Sequence, residues 1–255
     1  MRRQYIPEDM MGNTHKITIS LIGAGGTGSL LLNQLCRINI ALIGLGKKGI
    51  HVRCFDHDIV TESNLGRQNF NELDIDLNKA DVLISRINMF YGFQWESYNL
   101  KVTDQTHHIK SNIIFICVDN IKARKDIYTM LKGDKKTTHE FQNHYVIDCG
   151  NEFKTGQVYL SNSKSINQPD SKYETISYIP NPIEKYGKGI YQKDNDNVPS
   201  CSLAQALGKQ DLMINQFVAD TAAKMFWDML QHSFIFYNET FINLSEGIKI
   251  QNNKL

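Results

Sequence analysis

The chain has 255 residues, 41% hydrophobic, 22% charged and 10% aromatic, which suits one globular domain that needs neither disulfides nor metals to hold a core. Its formal net charge of +1 gives no broad basic face of the kind that binding along nucleic-acid phosphates requires, so no nucleic-acid partner is expected. No apolar run reaches membrane-spanning length and no signal peptide is visible, so a cytoplasmic protein without membrane contact is expected.

In chain order, residues 1–15 are polar and read as an arm or short helix. An apolar strand near 16–22 enters the glycine turn Gly23-Ala24-Gly25-Gly26-Thr27-Gly28. From Ser29 to Ile43, Leu31, Leu32, Leu35, Ile38 and Leu42 recur at helical spacing. A second strand near 50–55 ends at Asp56 and Asp58, and a loop carrying Asn64, Arg67 and Gln68 follows. Asn78-Lys79-Ala80-Asp81 opens a helix whose apolar face is Val82, Leu83, Ile87 and Phe90, and a strand is expected near Trp95–Val102. The unbroken apolar run Ile113 to Val118 has the pattern of a strand covered on both faces, as in a parallel sheet. It ends in Asp119-Asn120, and a helix from Ile121 to Leu131 and a strand from His144 to Asp148 come next.

The alternation of strand and helix predicts a doubly wound, mostly parallel Rossmann-like α/β sheet in a single domain over 1–255. Ligands of such a sheet gather at the carboxyl ends of the strands, where strand order reverses. Residues 161–200 are polar and aperiodic and read as a long loop. A helical pattern from Leu203 to Leu230 follows. Phe234–Tyr237 and Phe241–Leu244, separated by Asn238-Glu239-Thr240, read as a terminal hairpin.

The glycine turn lets backbone amides and a helix N-terminus approach phosphate. By itself it fits an NAD(P) site, with Asp56 or Asp58 gripping a ribose, and less often a ligand-free turn. An oxidoreductase gives no task to Arg67 and Lys79, which suit the neutralisation of a triphosphate attacked at its α-phosphorus. Asp119 at a strand tip is either a helix cap or a Mg²⁺ ligand. Asn120 and Arg124 lie just beyond it. The five cysteines are Cys36, Cys54, Cys117, Cys149 and Cys201. None stands at C-x-x-C spacing, which argues against a thiolate zinc site, and the first four read as small buried hydrophobes.

Three motifs, Gly23-x-Gly25-Gly26-x-Gly28, Asp56-x-Asp58-x-Val60-x-x-Ser63-Asn64-Leu65-x-Arg67-Gln68 and Lys79-Ala80, together with Asp119-Asn120-x-x-x-Arg124, resemble the ThiF/MoeB/E1 superfamily. Those enzymes activate ubiquitin-like and sulfur-carrier proteins. Pro199-Ser200-Cys201-Ser202 ahead of Ala204-Gln205-Ala206-Leu207 is similar to the ThiF-like proteins of PRTRC plasmid-associated systems. The resemblance implies ATP- and Mg²⁺-dependent adenylation of the C-terminal carboxylate of a β-grasp protein ending in glycines, by a homodimer, with 161–200 as a crossover loop. By position, Asp58 would hold the ribose, Asn64, Arg67 and Lys79 the phosphates, and Asp119 the Mg²⁺, while Gln68 would support the loop. Cys201 would take the acyl group as a thioester; the bland reading is a cysteine that anchors the loop. Relatives with an arginine supplied from a neighbouring subunit point to Arg2 or Arg3 here. Two alternatives share the fold: a nucleotide-binding module without turnover, and an NAD(P)-dependent oxidoreductase.

Overall fold

Unbroken hydrophobicity at 113–116 arises because successive side chains enter two different cores. In the computed structural model, which describes residues 2–106, 109–133, 145–187, 208 and 210–255, Ile113 and Phe115 join one apolar cluster, Ile114 and Ile116 another. The strands are β1 (Gln4–Tyr5), β2 (Ile17–Ile22), β3 (Ile50–Phe55), β4 (Glu96–Tyr98), β5 (Ile113–Ile116), β6 (Tyr145–Asn151), β7 (Thr155–Asn162), β8 (Phe234–Ile235), β9 (Tyr237–Asn243) and β10 (Lys249–Lys254). The helices are α1 (Gly26–Gly44), α2 (Lys79–Tyr91), α3 (Ile121–Gly133), α4 (Pro182–Tyr186) and α5 (Ile214–His232).

The main sheet has eight strands in the order β10-β9-β7-β6-β5-β2-β3-β4. From β6 to β4 every pairing is parallel, and β7, β9 and β10 extend the sheet antiparallel. The doubly wound architecture read from the sequence is therefore the one adopted. The chain winds from β2 outward to β3 and β4, then returns to place β5 on the other flank of β2. The strand order therefore reverses between β2 and β5, the position at which doubly wound sheets form their ligand crevice at the carboxyl ends of the strands.

Helix α1 packs against α5, and both belong to the larger cluster, to which Leu31, Leu32, Leu35 and Phe226 each contribute a side chain with no exposed surface. Each buried leucine contributes ~1.5–3 kcal/mol, so this layer fixes where the N-terminus of α1 sits. Helix α3 covers the opposite face through Ile127, Tyr128 and Leu131. On α2 the buried apolar positions are Ala80, Leu83, Ile84 and Ile87, one stripe at helical spacing. Phe90, expected on that face, is 80% exposed.

Two expectations are refined. Of the two readings of residues 1–15, the short helix is present as a single turn at Glu8–Met11 with Met10 and Met11 buried, and ahead of it β1 pairs with β8. The terminal hairpin does not turn at Asn238-Glu239-Thr240. Those residues lie inside β9, which pairs with β7 and with β10. The reason is that their polar groups are satisfied in the interior. Glu239 accepts hydrogen bonds from Gln157 (2.6 Å), Tyr186 (2.6 Å) and Asn253 (2.8 Å) and pairs with Lys185 at 3.2 Å. Thr240 donates to Asn252. Helix α5 begins at Ile214, later than the helical pattern from Leu203; residues 203–207 lie outside the described residues.

Candidate nucleotide-binding site

Gly23 leaves β2 with φ of +96°, and a Cβ there would stand 2.7 Å from the carbonyl oxygen of Cys117. Glycine thus lets this turn press against the end of β5. A Cβ on Gly28 would lie 1.9 Å from the carbonyl oxygen of Gly23, so the first turn of α1 closes directly onto the strand end. Gly25 differs: nothing lies within 4 Å of the position a Cβ would take. It is the open point of the turn. Among the described residues no side chain caps α1, and its first amides are left for an anion.

Asp56 and Asp58, two residues apart, have separate roles. The buried Asp56 carboxylate accepts the amide N–H of Ala24 at 2.6 Å and that of Asp58 at 2.8 Å, tying the glycine turn to the end of β3. Burial raises its pKa, and the two amides and Lys79 pull the other way. Asp58 is exposed, and its Oδ2 lies 3.4 Å from Lys79 Nζ. Asn78 caps α2 by accepting from Asp81 N–H. It also donates to the carbonyls of Asp56 and Asp58, which seats the buried Lys79 beside Asp58. Ligand atoms of Asp56, His57 and Asp58 fall within 4.8 Å of one another, but Asp56 is committed to backbone amides.

The loop after β3 is folded by its own side chains. Asn64 Oδ1 accepts the N–H of Thr61 at 2.9 Å, closing a capping box. The N–H of Asn69 donates to Ser29 Oγ at 3.1 Å, so the loop is fastened to the first turns of α1. Arg67 therefore arrives beside the glycine turn. Its NH1 donates to Gln210 Oε1 at 2.7 Å, while its Nε is buried with no partner. Burial lowers the pKa of this guanidinium, which nevertheless stays cationic. Gln68 Oε1 is also buried without a partner.

Across the crevice, Asp119 is exposed beyond the end of β5 and accepts from Asn120 Nδ2 at 3.3 Å. Asn120 Oδ1 accepts the N–H of Ala123 at 2.7 Å, an N-cap interaction for α3. Arg124 is buried: it pairs with Asp148 and donates to the carbonyls of Val118 and Cys149, each at 2.6 Å. Its charge holds β5, α3 and β6 together. Cys149 is 3% exposed, and a hydrogen bond with Cys117 and burial push its thiol well above the ordinary range. It is therefore unsuited to accept an acyl group. Cys201 lies outside the described residues. Arg2 and Arg3 are engaged within the chain, Arg2 with Glu174 at 3.0 Å and Arg3 between the rings of Tyr173 and Phe234.

The glycine turn, Asp58, Arg67 and Asp119 thus come from segments that follow the adjacent strands β2, β3 and β5, and Lys79 from the first turn of α2. Open helix amides, a cation lacking one partner and a carbonyl lacking another fit a ligand with phosphates and donor groups, as a nucleoside triphosphate has. Sequence reading missed Thr27, Asn151, Gln210 and Asn215, which form the hydrogen-bonded group behind Arg67. The available signal was Asn215, a polar residue heading the buried stripe Val218, Ala219 and Ala222.

Comparison with known proteins agrees with this architecture. Over 128 residues the chain is 29% identical to ubiquitin-like modifier-activating enzyme 5 of Branchiostoma floridae, a match covering 44% of this chain and 29% of that protein. Over 164 residues it is 31% identical to the NEDD8-activating enzyme E1 catalytic subunit of Schizosaccharomyces pombe, covering 60% of this chain and 32% of the other. The chain therefore spans about a third of the length of these curated relatives. Among solved structures, E. coli MccB superposes with a TM-score of 0.59 at 16% identity, over 96% of this chain and 63% of that one. PaaA gives 0.56 at 14% identity, over 97% and 74%. At those identities the likeness is one of fold. The ThiF family model matches residues 1–254, and the chain belongs to the ThiF family.

Proposed function

We propose that this protein activates the C-terminal carboxylate of a ubiquitin-like or sulfur-carrier protein of β-grasp fold by ATP-dependent adenylation. The observation that carries this reading is the pair of cations, Arg67 and Lys79, set beside an open glycine turn and an uncapped helix N-terminus at the strand-order reversal. The curated relatives are named as activating enzymes for ubiquitin-like modifiers and NEDD8, which supports the same substrate class. An oxidoreductase would leave both cations without a task.

In this reading Asp58 binds the ribose. Arg67, Lys79, the amide of Asn64 and the turn at Gly25 and Gly26 hold the phosphates, with Gln68 supporting their loop. Asp119 would hold Mg²⁺, which supplies charge neutralisation at the phosphate oxygens when bound. A carboxylate oxygen of the partner protein's terminal glycine attacks the α-phosphorus; the bond to the bridging oxygen breaks and pyrophosphate leaves. Positioning and neutralisation suffice, without proton transfer by a side chain. The acyl-adenylate is then open to a thiol, for which Cys201 is the candidate; AMP departs as the thioester forms. A homodimer in the cytoplasm is the proposed setting, in keeping with the free thiols of Cys36, Cys54, Cys117 and Cys149.

The test is ATP–pyrophosphate exchange in the presence of Mg²⁺ and a β-grasp protein ending in glycines. Asp119→Ala abolishes exchange with the fold retained, whereas Cys201→Ala spares exchange and removes only the thioester. No exchange with any β-grasp protein encoded beside it would leave a nucleotide-binding module in place of the enzyme.

A further inference from the structure

The guanidinium of Arg67 is held by the amide of Gln210, whose orientation is set by a second amide, Asn215. Asn215, 2% exposed, receives two donors on Oδ1: the hydroxyl of Thr27 at 3.2 Å and Nδ2 of Asn151 at 2.7 Å. Those donors come from the first turn of α1 and the end of β6. Gly26 makes room for this packing, since a Cβ there would stand 2.6 Å from the Asn215 side chain. With its oxygen fixed, Asn215 must turn its NH₂ outward, and Nδ2 donates to Gln210 Oε1 at 3.0 Å. Gln210 in turn presents its oxygen to Arg67, and that oxygen accepts from NH1 at 2.7 Å. Each amide fixes the orientation of the next.

A carboxylate at 210 would be the stronger partner for a guanidinium. Arg124 has such a partner in Asp148, and its charge is cancelled in place. Among the described residues no carboxylate lies within ion-pairing distance of Arg67, and its Nε is left buried and unpaired. A side chain anchored at one nitrogen, uncancelled in charge and short of an acceptor at another is arranged to meet an anion. We infer that Gln210 is the positioning residue of Arg67: held by Asn215, it fixes the guanidinium while leaving its charge available to the triphosphate. This rests on the nucleotide site of the adenylation reading and adds to it the neutrality of position 210 as a determinant of phosphate affinity.

The experiment measures binding of MgATP and of adenosine to the wild-type chain, Gln210→Glu and Gln210→Ala by titration calorimetry, with melting temperature as the control for folding. Gln210→Glu should melt no lower than wild type, because it gains an ion pair with Arg67. It should nevertheless bind MgATP about tenfold or more weakly, the scale of a charge-assisted hydrogen bond lost, and bind adenosine unchanged. The bound triphosphate competes for Arg67 and raises the new glutamate's pKa, so binding takes up a proton. The deficit relative to wild type should therefore narrow between about pH 7.5 and about pH 5. Gln210→Ala should lose roughly threefold for MgATP, a fraction of one hydrogen bond, without that pH dependence. A merely structural residue would lower the melting temperature and weaken both ligands alike, overturning the inference, as would unaltered MgATP binding by Gln210→Glu. Wild type that binds no MgATP overturns the nucleotide reading itself, a result distinguishable from the other two. If Gln210→Glu does not fold, the ratio of MgATP to adenosine affinity in Gln210→Ala decides: a selective loss for MgATP supports the inference, an unchanged ratio refutes it.

Discussion

Asp56 tests whether the two carboxylates after β3 have different roles. Asp56→Ala removes the acceptor of two amides, those of Ala24 and Asp58, at a position 8% exposed. A buried donor left unsatisfied costs ~1–3 kcal/mol. Two such donors, less some relief because burial already disfavours the charged carboxyl, give a destabilisation of about 3 kcal/mol. In a chain of this size 1 kcal/mol moves the melting temperature by roughly 2–4 °C, so a drop of about 6–12 °C is expected by calorimetry at neutral pH. Asp56→Asn keeps one acceptor and should fall about midway. The pH dependence has a definite sign. The folded pKa is raised, so the native state holds its proton more tightly than the unfolded chain. This contribution is fully present below the unfolded value of about 3.9 and is lost as pH rises through the folded pKa. Neither variant should show that slope. Asp58→Asn, at an exposed site, should keep the wild-type melting temperature and lose affinity for the nucleotide. If Asp56→Ala melts like wild type yet loses the ligand, Asp56 contacts ligand and the anchoring argument fails.

The glycine turn offers a second contrast. Gly28→Ala drives a Cβ into the carbonyl of Gly23 and should reduce soluble, cooperatively folding protein. Gly25→Ala meets nothing within 4 Å, so it should melt like wild type while weakening MgATP measurably in the same titration. Far from the crevice, Glu239 has no exposed surface; burial pushes its pKa up, but hydrogen bonds from Tyr186 and Asn253 and the charge of Lys185 outweigh this and hold it low. Its stabilisation is therefore present above about pH 4.3 and lost as pH falls through the lowered folded value. Glu239→Gln should cost about 3 kcal/mol at neutral pH, as for a buried ion pair that loses a partner, and should flatten the acid limb of urea-denaturation midpoints against pH.

The sheet was legible because β5 is buried on both faces and reads as an unbroken apolar run, while β2 and β3 keep apolar residues at every second position. Their ends were legible through the turn at Gly23–Gly28 and the acidic residues that follow β3 and β5. What sequence concealed was the division of labour between like residues. Asp56 and Asp58 are the same side chain two positions apart, and only burial separates the anchor from the exposed group. The placement of the last hairpin failed because Asn238-Glu239-Thr240 has the composition of a turn, whereas four partners on three other segments, β7, α4 and β10, keep Glu239 buried in β9. The relay behind Arg67 was invisible for a different reason: Gln210 stands 143 positions away, and no local pattern encodes a contact over that separation.

Arginines 67 and 124 differ in what remains of their charge once the fold is complete. Arg124 gives every described contact to Asp148 and to carbonyls at the ends of β5 and β6. Its removal would strand Asp148, which is 4% exposed, in the interior, so its effect belongs to stability. Arg67 meets an amide in place of a carboxylate. The crevice also carries Asp58 and Asp119, both exposed, and Lys79 is already shared with Asp58. These acids already equal the two cations in number; had Arg67 also been paired with an acid, the acids would outnumber the cations and disfavour a polyanion. On the proposed nucleotide reading, a neutral partner at 210 leaves the charge of Arg67 to the phosphates, which is why that reading turns on an uncharged residue.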